Sequence, residues 1–358
     1  MPKRVLYGVL DWGLGHATRS VPVIQQVLAA GCDVRIASSG LALELLRGEF
    51  PGLVVYKLPP YDVRYARHGM FMLNIIWQVP RLLITIIREG RAAENLASSF
   101  PADLVISDCR YGFRLRGRKS AFITHQIHFQ MPNALRLLQP VVNFVNRALI
   151  SRFDEVWIPD VPNGLTAKLS RPGKLAPKAR WIGNLSRMVR LPVASSPEYE
   201  VALILSGPEP QRTLFEIEAV HQLKKLHIRA VVVRGLPAAP AFRQVEKLDI
   251  YNYLAGQALA DVIRRSRVVV ARSGYSTVMD LVAAGGYAIF VPTPGQTEQE
   301  LLAETLAARL VAFTMPQRKL DLALALSQSY AFRGFADWKP QPNLLAQVIL
   351  SFIHDPRP

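Results

Sequence analysis

Short runs of apolar residues alternate along the chain with stretches whose apolar positions recur at helical spacing. Between the first two runs, residues 18–31 place Val23, Val27 and Leu28 on one helical face and close with Gly31. Strand–helix–strand units of this kind predict a parallel sheet with helices on both faces. The predicted strands of the first half are Val5–Leu10, Asp33–Ala37, Leu53–Lys57, Asp103–Ser107, Ser120–Thr124 and Glu155–Ile158.

A stretch without regular apolar spacing, Asn184–Tyr199, is interpreted as a linker because it is rich in proline and serine. The predicted elements beyond it are the strands Glu200–Ser206, Arg229–Arg234, Arg267–Ala271 and Ala288–Pro292, and the helices Gln211–Lys225, Gly274–Ala284, Thr297–Ala308 and Asn343–His354. We therefore predict an α/β protein with two doubly wound, Rossmann-like domains, residues 1–190 and 191–340, that face a central cleft. Residues 341–358 add a C-terminal helix that could pack back on the N-terminal domain.

Composition narrows the class of protein. The chain has 358 residues, of which 50% are hydrophobic and 20% charged, and this excludes an intrinsically disordered protein. Cys32 and Cys109, its two cysteines, cannot form a disulfide framework or a four-cysteine zinc site, so we predict a reducing, cytoplasmic setting. The formal net charge of +16 favours nucleic acid, an anionic membrane surface or a phosphorylated substrate as partner.

The most membrane-like segment is Phe71–Ile87, which is too short to span a bilayer and is broken by Asn74, Gln78, Pro80 and Arg81. We predict a buried or interfacial helix pair there. It either covers the core of its own domain or leaves an apolar patch that associates peripherally with the inner, anionic face of a membrane. The cations that flank such a patch are Arg64, Arg67, Arg81, Arg88 and Arg91.

The loop after the first strand, Asp11–Ser20, is the first candidate site. Gly13 and Gly15 allow a tight turn and close approach to a ligand, and His16 stands where the next helix begins. The loop lacks the third glycine of a dinucleotide-binding fingerprint. Two interpretations stay open: a structural turn with a capping histidine, and an active-site imidazole that titrates near neutrality.

Two loops of the second half also follow strands directly. Ser206 and Gly207 come after one strand, and Arg272, Ser273 and Gly274 come after another, at the start of a helix. A helix start favours anions, so the second turn predicts a pyrophosphate site with Arg272 beside it. Polar residues further on that suit ribose or sugar hydroxyls are Asp280, Gln299 and Glu300.

The first half offers further polar loops. We expect Asp108 and Arg110 to be exposed at the end of one strand, and His125 and His128 to follow the next. These residues either bind an acceptor or form structural hydrogen bonds. No metal is predicted, because His125 and His128 lack metal-site spacing to any carboxylate or cysteine.

The segment RSGYSTVMDLVAAGGYAIFVPTPGQTEQE, residues 272–300, resembles the nucleotide-sugar signature of family 28 glycosyltransferases, which have the GT-B fold. The loop GLGHATRS, residues 13–20, is similar to the first loop of that family. The resemblance implies that the second domain binds a UDP-sugar and the first binds an acceptor. Three departures argue against the lipid II N-acetylglucosaminyltransferase itself. They are the prolines of SGPEP at 206–210, Asp280 in place of a glutamate, and Glu300 in place of a second glutamine.

The resemblance also implies roles for single residues. Asp280 would bind the ribose, Gln299 with Glu300 would contact the donor sugar, and Tyr253 with Leu254 would clasp the base. The residues that would hold the diphosphate are Arg272, Ser273, Gly274, Ser276 and Thr277, with the loop of Ser206 and Gly207 near it.

The resemblance, taken with these residues, implies an inverting, metal-independent glycosyltransferase that moves a sugar from a UDP-linked donor to a hydroxyl acceptor, such as a lipid-linked or cell-envelope glycan. No cofactor besides the donor substrate is expected. His16 is the predicted base, with Asp108 and His125 as reserves. A nucleotide-sugar 2-epimerase of the same fold and a non-catalytic sugar-nucleotide-binding protein are the alternatives. Nucleic acid is not an expected partner, because the basic cluster at 112–120 holds a single aromatic residue.

Overall fold

The computed structural model describes residues 1–63, 71–188, 196–207, 209–236, 242–254, 256–338 and 342–355, without the side chains of residues 71–76, 167, 342 and 343. Within these ranges the chain forms two compact units. The first unit contains residues 1–63, 72–185 and 342–355, and the second contains residues 186–338. The predicted domain boundary at 190/191 lies outside the described residues.

The first unit is built on a parallel sheet of seven strands in the order β3-β2-β1-β4-β5-β6-β7. Its strands are β1 (Arg4–Val9), β2 (Asp33–Ser38), β3 (Val55–Lys57), β4 (Leu104–Asp108), β5 (Lys119–Ile123), β6 (Glu155–Ile158) and β7 (Ala179–Trp181). Its helices are α1 (Leu14–Ala29), α2 (Gly40–Glu49), α3 (Phe71–Ser99), α4 (Gln139–Ile150), α5 (Ala167–Ser170) and α11 (Pro342–His354), with 3₁₀ turns at Asn133–Leu138 and Gly173–Lys178.

The second unit has a mixed sheet in the order β10-β11-β9-β8-β12-β13-β14, parallel except for the β10–β11 pair. Its strands are β8 (Tyr199–Ile204), β9 (Ala230–Val233), β10 (Phe242–Val245), β11 (Leu248–Tyr251), β12 (Ser266–Ala271), β13 (Tyr287–Phe290) and β14 (Phe313–Thr314). Its helices are α6 (Gln211–Leu226), α7 (Gly256–Arg264), α8 (Tyr275–Ala284), α9 (Thr297–Ala308) and α10 (Leu322–Ser329), with a 3₁₀ turn at Gln317–Lys319.

The cores lie on the two faces of each sheet, and this is why the central strands are apolar at nearly every position. In the first unit the core extends to the C-terminal helix α11. Phe352 packs edge-on against Trp157 with ring centroids 5.2 Å apart, and the Lys119 ammonium lies 2.9 Å from Asp355. The last helix is therefore part of the first unit.

The predicted α/β fold is confirmed, whereas the strands β7, β10, β11 and β14 were not predicted and one helical segment differs from its prediction. The segment Phe71–Ile87 is not a helix pair, since α3 runs without a break to Ser99 with Pro80 inside it. One part of α3 covers the core and another part is exposed, so both predicted environments occur. Thr85 and Glu89 are buried, whereas Trp77 is 84% exposed. Within the described ranges, every helix is too short or too polar to cross a membrane.

Each sheet has a topological switch point, where the chain leaves a central strand in one direction and returns on its other side. In the first unit this happens between β1 and β4, and in the second between β8 and β12. Ligands of open α/β sheets bind outside the carboxyl ends of the strands at such points. The two loops after β1 and β4, and the two after β8 and β12, are therefore the places to look for chemistry.

Candidate active site

The switch point of the first unit brings together a histidine and an aspartate. Val9 of β1 pairs with Asp108, the last residue of β4, so the loops that follow these strands leave side by side. Gly13 has a φ of 82°, which lets the chain turn directly from β1 into α1. His16 then lies in the first turn of α1, and its Nδ1 is 2.7 Å from Asp108 Oδ1.

Arg19, one helical turn after His16, fixes the aspartate. Its Nε and Nη2 donate to the two oxygens of Asp108 at 2.7 and 2.5 Å. Asp108 is completely buried and Arg19 is 2% exposed, whereas the His16 side chain is 18% exposed. Ser20 adds a hydrogen bond of 3.2 Å to Asp108 Oδ2. Both carboxylate oxygens are thus occupied by protein, and His16 is the member of this group that reaches the surface.

The electrostatics of this group keep His16 neutral. Burial lowers the pKa of His16 and the Arg19 guanidinium lowers it further, against the opposing effect of Asp108. Burial by itself would raise the pKa of Asp108, but Arg19 and His16 together hold it well below its usual range. At neutral pH the pair is therefore an ionised carboxylate and an uncharged imidazole.

Two further side chains complete the cluster. His125, which follows β5 and is 6% exposed, accepts a hydrogen bond at Nδ1 from Arg19 Nη1 at 2.7 Å. Cys109 Sγ lies 3.3 Å from Arg19 Nη2, and burial raises the pKa of this thiol to about 11. His16, Asp108 and Cys109 bring their nitrogen, oxygen and sulfur atoms within 4.8 Å of one another. We assign no metal to them, because the Arg19 cation contacts all three.

A second buried charge network lies beside the first and corrects an expectation. Asp108 and Arg110 were expected to be exposed, but both are completely buried. Arg110 donates to Glu89 of α3 at 2.7 Å and to Ser39 at 2.6 Å, and it lies 3.4 Å from Asp11. A hydrogen bond from Arg110 Nε to the carbonyl of Val9 at 2.6 Å ties this network to the end of β1. Arg110 therefore shapes the loop that carries His16.

The switch point of the second unit carries the loops predicted to hold a diphosphate. Ile204 of β8 pairs with Ala271 of β12, so Ser206–Gly207 and Ser273–Gly274 leave the sheet next to each other. Gly207 has a φ of 97°. Helix α8 begins at Gly274 without a side-chain cap and without an acidic residue in its first turn, which suits an anion at Ser276 and Thr277. Helix α9 differs, because Glu298 and Glu300 lie in its first turn.

The geometry does not support a direct contact between Arg272 and a diphosphate. Arg272 is completely buried, and its four terminal N–H groups donate to the carbonyls of Val291, Pro292 and Gln211 and to Gln317 Oε1, at 2.7–3.2 Å. The guanidinium carbon lies 4.3 Å from the Phe215 ring centroid. Burial lowers its pKa to about 9. Arg272, which follows β12, therefore links the end of β13 to the start of α6 through hydrogen bonds.

Gln299 and Glu300, expected at the donor sugar, bind the loop that precedes their helix. Gln299 Oε1 accepts from the amide of Thr293 at 2.8 Å, and Glu300 Oε1 accepts from the amide of Gly295 at 3.0 Å. Thr293 Oγ1 is buried and has no hydrogen-bond partner among the described residues. A Cβ added at Gly207 would come within 3.9 Å of this hydroxyl, so it faces the predicted diphosphate loop.

Asp280 lies on α8 and is paired with the start of the second unit. Ser186 Oγ donates a hydrogen bond of 2.6 Å to Asp280 Oδ1, and burial raises the pKa of Asp280 to about 6. Tyr253 and Leu254 are half-buried in the loop between β11 and α7.

Three residues that organise these sites were missed from sequence. Arg19 stands three residues after His16, so helical spacing was a signal that both share a face of α1. Glu89 carried no signal of burial, because it stands in a charged stretch of α3 with Arg88, Arg91 and Glu94. Ser186 gave no signal, because the stretch around it was interpreted as linker.

Comparison with known proteins agrees with this architecture. Residues 211–331 match the family model "Glycosyltransferase family 28 C-terminal domain", and residues 3–117 match the model "Glycosyl transferase family 1". The chain is 23% identical over 357 residues to an uncharacterized glycosyltransferase of Methanosarcina mazei, covering 87% of this chain and 86% of the relative. An uncharacterized glycosyltransferase of Methanopyrus kandleri is 22% identical, covering 91% and 93%.

The chain is also similar to one relative with a named activity and to two solved structures. The N-acetylglucosaminyltransferase of Verminephrobacter eiseniae that is named for UDP-N-acetylglucosamine and a lipid-linked acceptor is 28% identical over 53% of this chain and 55% of its own length. MurG of Acinetobacter baumannii superposes with a TM-score of 0.61 at 16% identity, covering 98% of this chain and 99% of MurG. Spinosyn rhamnosyltransferase SpnG in complex with thymidine diphosphate gives 0.63 at 14% identity, covering 98% and 96%. The predicted GT-B fold and the predicted enzyme class, a glycosyltransferase, are confirmed.

Proposed function

We propose that this chain, a glycosyltransferase with the GT-B fold, moves a sugar from a UDP-linked donor to a hydroxyl acceptor with inversion and without a metal ion. The observation that carries the proposal is the His16–Asp108 contact of 2.7 Å at the switch point of the first unit. It pairs a neutral imidazole near the surface with a buried, ionised carboxylate, which is the arrangement of a general base.

In the proposed reaction His16 takes the proton of the acceptor hydroxyl. The oxygen of that hydroxyl forms a bond to the anomeric carbon of the donor sugar on the face opposite the diphosphate. The bond from this carbon to the diphosphate oxygen breaks, and the nucleoside diphosphate leaves with the electron pair. Asp108 stabilises the imidazolium that forms, because it already accepts from the protonated nitrogen of His16.

The charge that develops on the leaving diphosphate needs preorganised donors. The start of α8 supplies them in this proposal: its first turn holds Ser276 and Thr277, and it has no side-chain cap and no acidic residue. The orphaned hydroxyl of Thr293, close to Gly207, adds one more polar group at the same place. Arg272 contributes by holding these loops through its hydrogen bonds to their carbonyls, rather than through a contact with the ligand.

We further propose that the enzyme works at the surface of an anionic membrane, where a lipid-linked or cell-envelope acceptor is met. The exposed face of α3 carries Trp77, Ile84 and Ile87, which are 84%, 50% and 58% exposed, and Arg88 and Arg91 lie beside them. Glu89, the acid between them, is buried against Arg110. Apolar side chains next to arginines that have no ion-pair partner among the described residues favour an interfacial site on anionic lipid.

The 3₁₀ turn Asn133–Leu138 and helix α4 add further exposed apolar residues to this surface. On the 3₁₀ turn and α4, Leu137, Val141 and Phe144 are 94%, 61% and 67% exposed. The loop after β4 holds both helices, because the Gly112 amide donates to Glu89 of α3 and Tyr111 donates to Asn146 of α4. The two apolar faces thus flank the same loop of the first unit.

A screen of nucleotide sugars by thermal stabilisation tests the donor, since a ligand that binds only the folded state raises the melting temperature. UDP-sugars should stabilise the protein, and UDP should be released only when a hydroxyl acceptor is present. Stabilisation by no nucleotide sugar would contradict the proposal. Interconversion of UDP-N-acetylglucosamine with its 2-epimer in the absence of acceptor would replace glycosyl transfer with the epimerase alternative.

A further inference from the structure

The Arg19 guanidinium contacts four side chains of the His16 cluster: His16, Asp108, His125 and Cys109. Besides its two bonds to Asp108, it places Nη1 2.7 Å from His125 Nδ1, and Nη2 3.0 Å from His16 Nδ1 and 3.3 Å from Cys109 Sγ. An arginine so placed does more than balance one carboxylate. It has donors and no acceptors, so each contact restricts where the neighbouring protons can be.

The contact with Arg19 determines which ring nitrogen of His125 carries the proton. A guanidinium nitrogen can only donate, so at 2.7 Å the Nδ1 atom of His125 must accept with its lone pair. The neutral ring of His125 then carries its proton on Nε2. Its protonation at Nδ1 would place two donors face to face next to a full positive charge.

His16 is subject to the opposite constraint. An ionised carboxylate can only accept, and Asp108 is ionised because its pKa is held low by Arg19 and His16 in spite of its burial. The contact of 2.7 Å from His16 Nδ1 to Asp108 Oδ1 therefore requires a proton on Nδ1. The lone pair of the neutral ring is then on Nε2. The longer approach of Arg19 Nη2 to the same Nδ1, 3.0 Å, is a contact between two donors that share Asp108 Oδ1.

We propose that Arg19 is a positioning residue that holds His16 and His125 in opposite tautomers, so that His16 accepts the proton of the acceptor hydroxyl and His125 does not. The inference rests on the proposed function and narrows it. Of the three candidate bases, Asp108 is buried with both oxygens occupied, and His125 has its Nδ1 lone pair engaged by a cation. His16 alone combines an Nε2 lone pair with a side chain that reaches the surface.

Arg19 also tunes the proton affinity of the base. The titratable and charged groups around His16 are Asp108, Arg19, His125 and Cys109. Burial and Arg19 disfavour the imidazolium, whereas Asp108 favours it. Removal of the Arg19 charge leaves Asp108 as the dominant partner, so the pKa of His16 should rise.

The tautomers can be read without any substrate. We expect ¹⁵N NMR of the full-length protein with labelled histidine, assigned through His16→Asn and His125→Asn variants, to find His16 protonated on Nδ1 and His125 on Nε2 near neutral pH. A proton on Nδ1 of His125, or a mixture of both tautomers at His16, overturns the proposal. Because the unmodified protein is measured, a variant at Arg19 that fails to fold does not affect this result.

Two substitutions at Arg19 separate its charge from its geometry. In Arg19→Gln the acidic limb of the kcat/KM profile should move to higher pH, and kcat should fall on the order of 100-fold because the base is misplaced. Arg19→Lys keeps the charge, so it should lower kcat and leave the limb in place. The surface variant Arg47→Gln, at a side chain 51% exposed, is the control and should change neither value.

The role of Arg19 and the proposed glycosyl transfer can fail separately. An acidic limb that stays in place in Arg19→Gln would reduce Arg19 to a structural residue and overturn the proposal. If the protein transfers no sugar at all, the proposed function fails, but the NMR measurement still decides whether Arg19 sets the tautomers.

Discussion

Ser186 Oγ and Asp280 Oδ1 are joined by a hydrogen bond of 2.6 Å, which links the first residue of the second unit to helix α8. Burial raises the pKa of Asp280 to about 6, although the Ser186 hydroxyl and the positive charge of Arg187 favour the ionised form. A ribose hydroxyl that donates to this oxygen would compete with Ser186. The carboxylate proposed to bind ribose is thus engaged by the chain itself and titrates near physiological pH.

The affinity for UDP should therefore depend on pH. An ionised Asp280 accepts hydrogen bonds better than the protonated acid, so UDP binding should strengthen as the pH rises through about 6. In Asp280→Asn the protein's share of this dependence should vanish, and only the share from the UDP terminal phosphate, which ionises near a pKa of about 6, should remain. Ser186→Ala removes a bond that favours the ionised form, so its transition should lie at higher pH. Titration calorimetry from about pH 5 to about pH 8 measures all three proteins. The same profile in Asp280→Asn and in the unmodified protein would exclude Asp280 from binding.

Asp108 should govern stability in acid. Its pKa is lower in the folded protein than in the unfolded chain, where it is about 3.9. Its contribution to folding is therefore present above that value and is lost as the pH falls through the folded-state pKa. Asp108→Asn should lower the free energy of unfolding by about 3–5 kcal/mol at neutral pH, because Arg19 is left buried without its partner.

The slope on the acid side separates this effect from a general loss of stability. In the variant, the free energy of unfolding from urea titrations should fall less steeply below about pH 4 than in the unmodified protein. Equal slopes in the two proteins would show that Asp108 is not strongly paired in the folded state.

Arg272 should matter for stability rather than for nucleotide affinity. In Arg272→Gln the carbonyls of Val291, Pro292 and Gln211 lose buried donors, each worth about 1–3 kcal/mol when left unsatisfied. We expect a clear drop in melting temperature and an unchanged Kd for UDP in the folded fraction. Arg267 lies on β12, the strand that ends just before Arg272, but it is 47% exposed and paired with Glu200, so it is the matched control. Arg267→Gln should leave the melting temperature nearly unchanged, because an exposed ion pair contributes little to stability. Loss of UDP binding without loss of stability in Arg272→Gln would restore the direct role.

Membrane association should depend on the exposed face of α3. Ile84→Ser removes an apolar side chain that would enter the interface, worth at least about 1.5 kcal/mol or roughly a tenfold change in partitioning. Ile217 of α6 is 63% exposed and lies in the second unit, so Ile217→Ser is the control and should bind like the unmodified protein. Co-sedimentation with vesicles containing anionic lipid measures both. Equal binding of both variants would exclude α3 as the docking surface.

The sequence predicted the strands well because buried parallel strands are continuous apolar runs that end at polar loops. The strand Glu155–Ile158 and the helix Thr297–Ala308 have the predicted bounds. Four strands were missed: β7 and β14 have only three and two residues, and β10 and β11 lack a continuous apolar run. The continuity of α3 was missed because Pro80 was interpreted as a break, whereas tertiary packing around Thr85 and Glu89 keeps the helix intact.

The sites were harder to predict than the fold. That His16 and Asp108 would meet follows from the pairing of β1 with β4, because parallel strands end at the same edge. The burial of Arg272 could not be foreseen, because its partners come from three separated segments and carry no motif. A basic residue beside a helix start looks the same in sequence whether it binds a phosphate or the protein's own carbonyls.

The central claim is that His16 is the base of glycosyl transfer, and the turnover of His16→Gln with saturating UDP-sugar and acceptor tests it most directly. We predict that kcat falls by about 10²–10⁴-fold, the usual contribution of a general base, while the Kd for UDP stays the same. The control His221→Gln, at an exposed histidine of α6, should keep full activity. Unchanged turnover in His16→Gln would contradict the account.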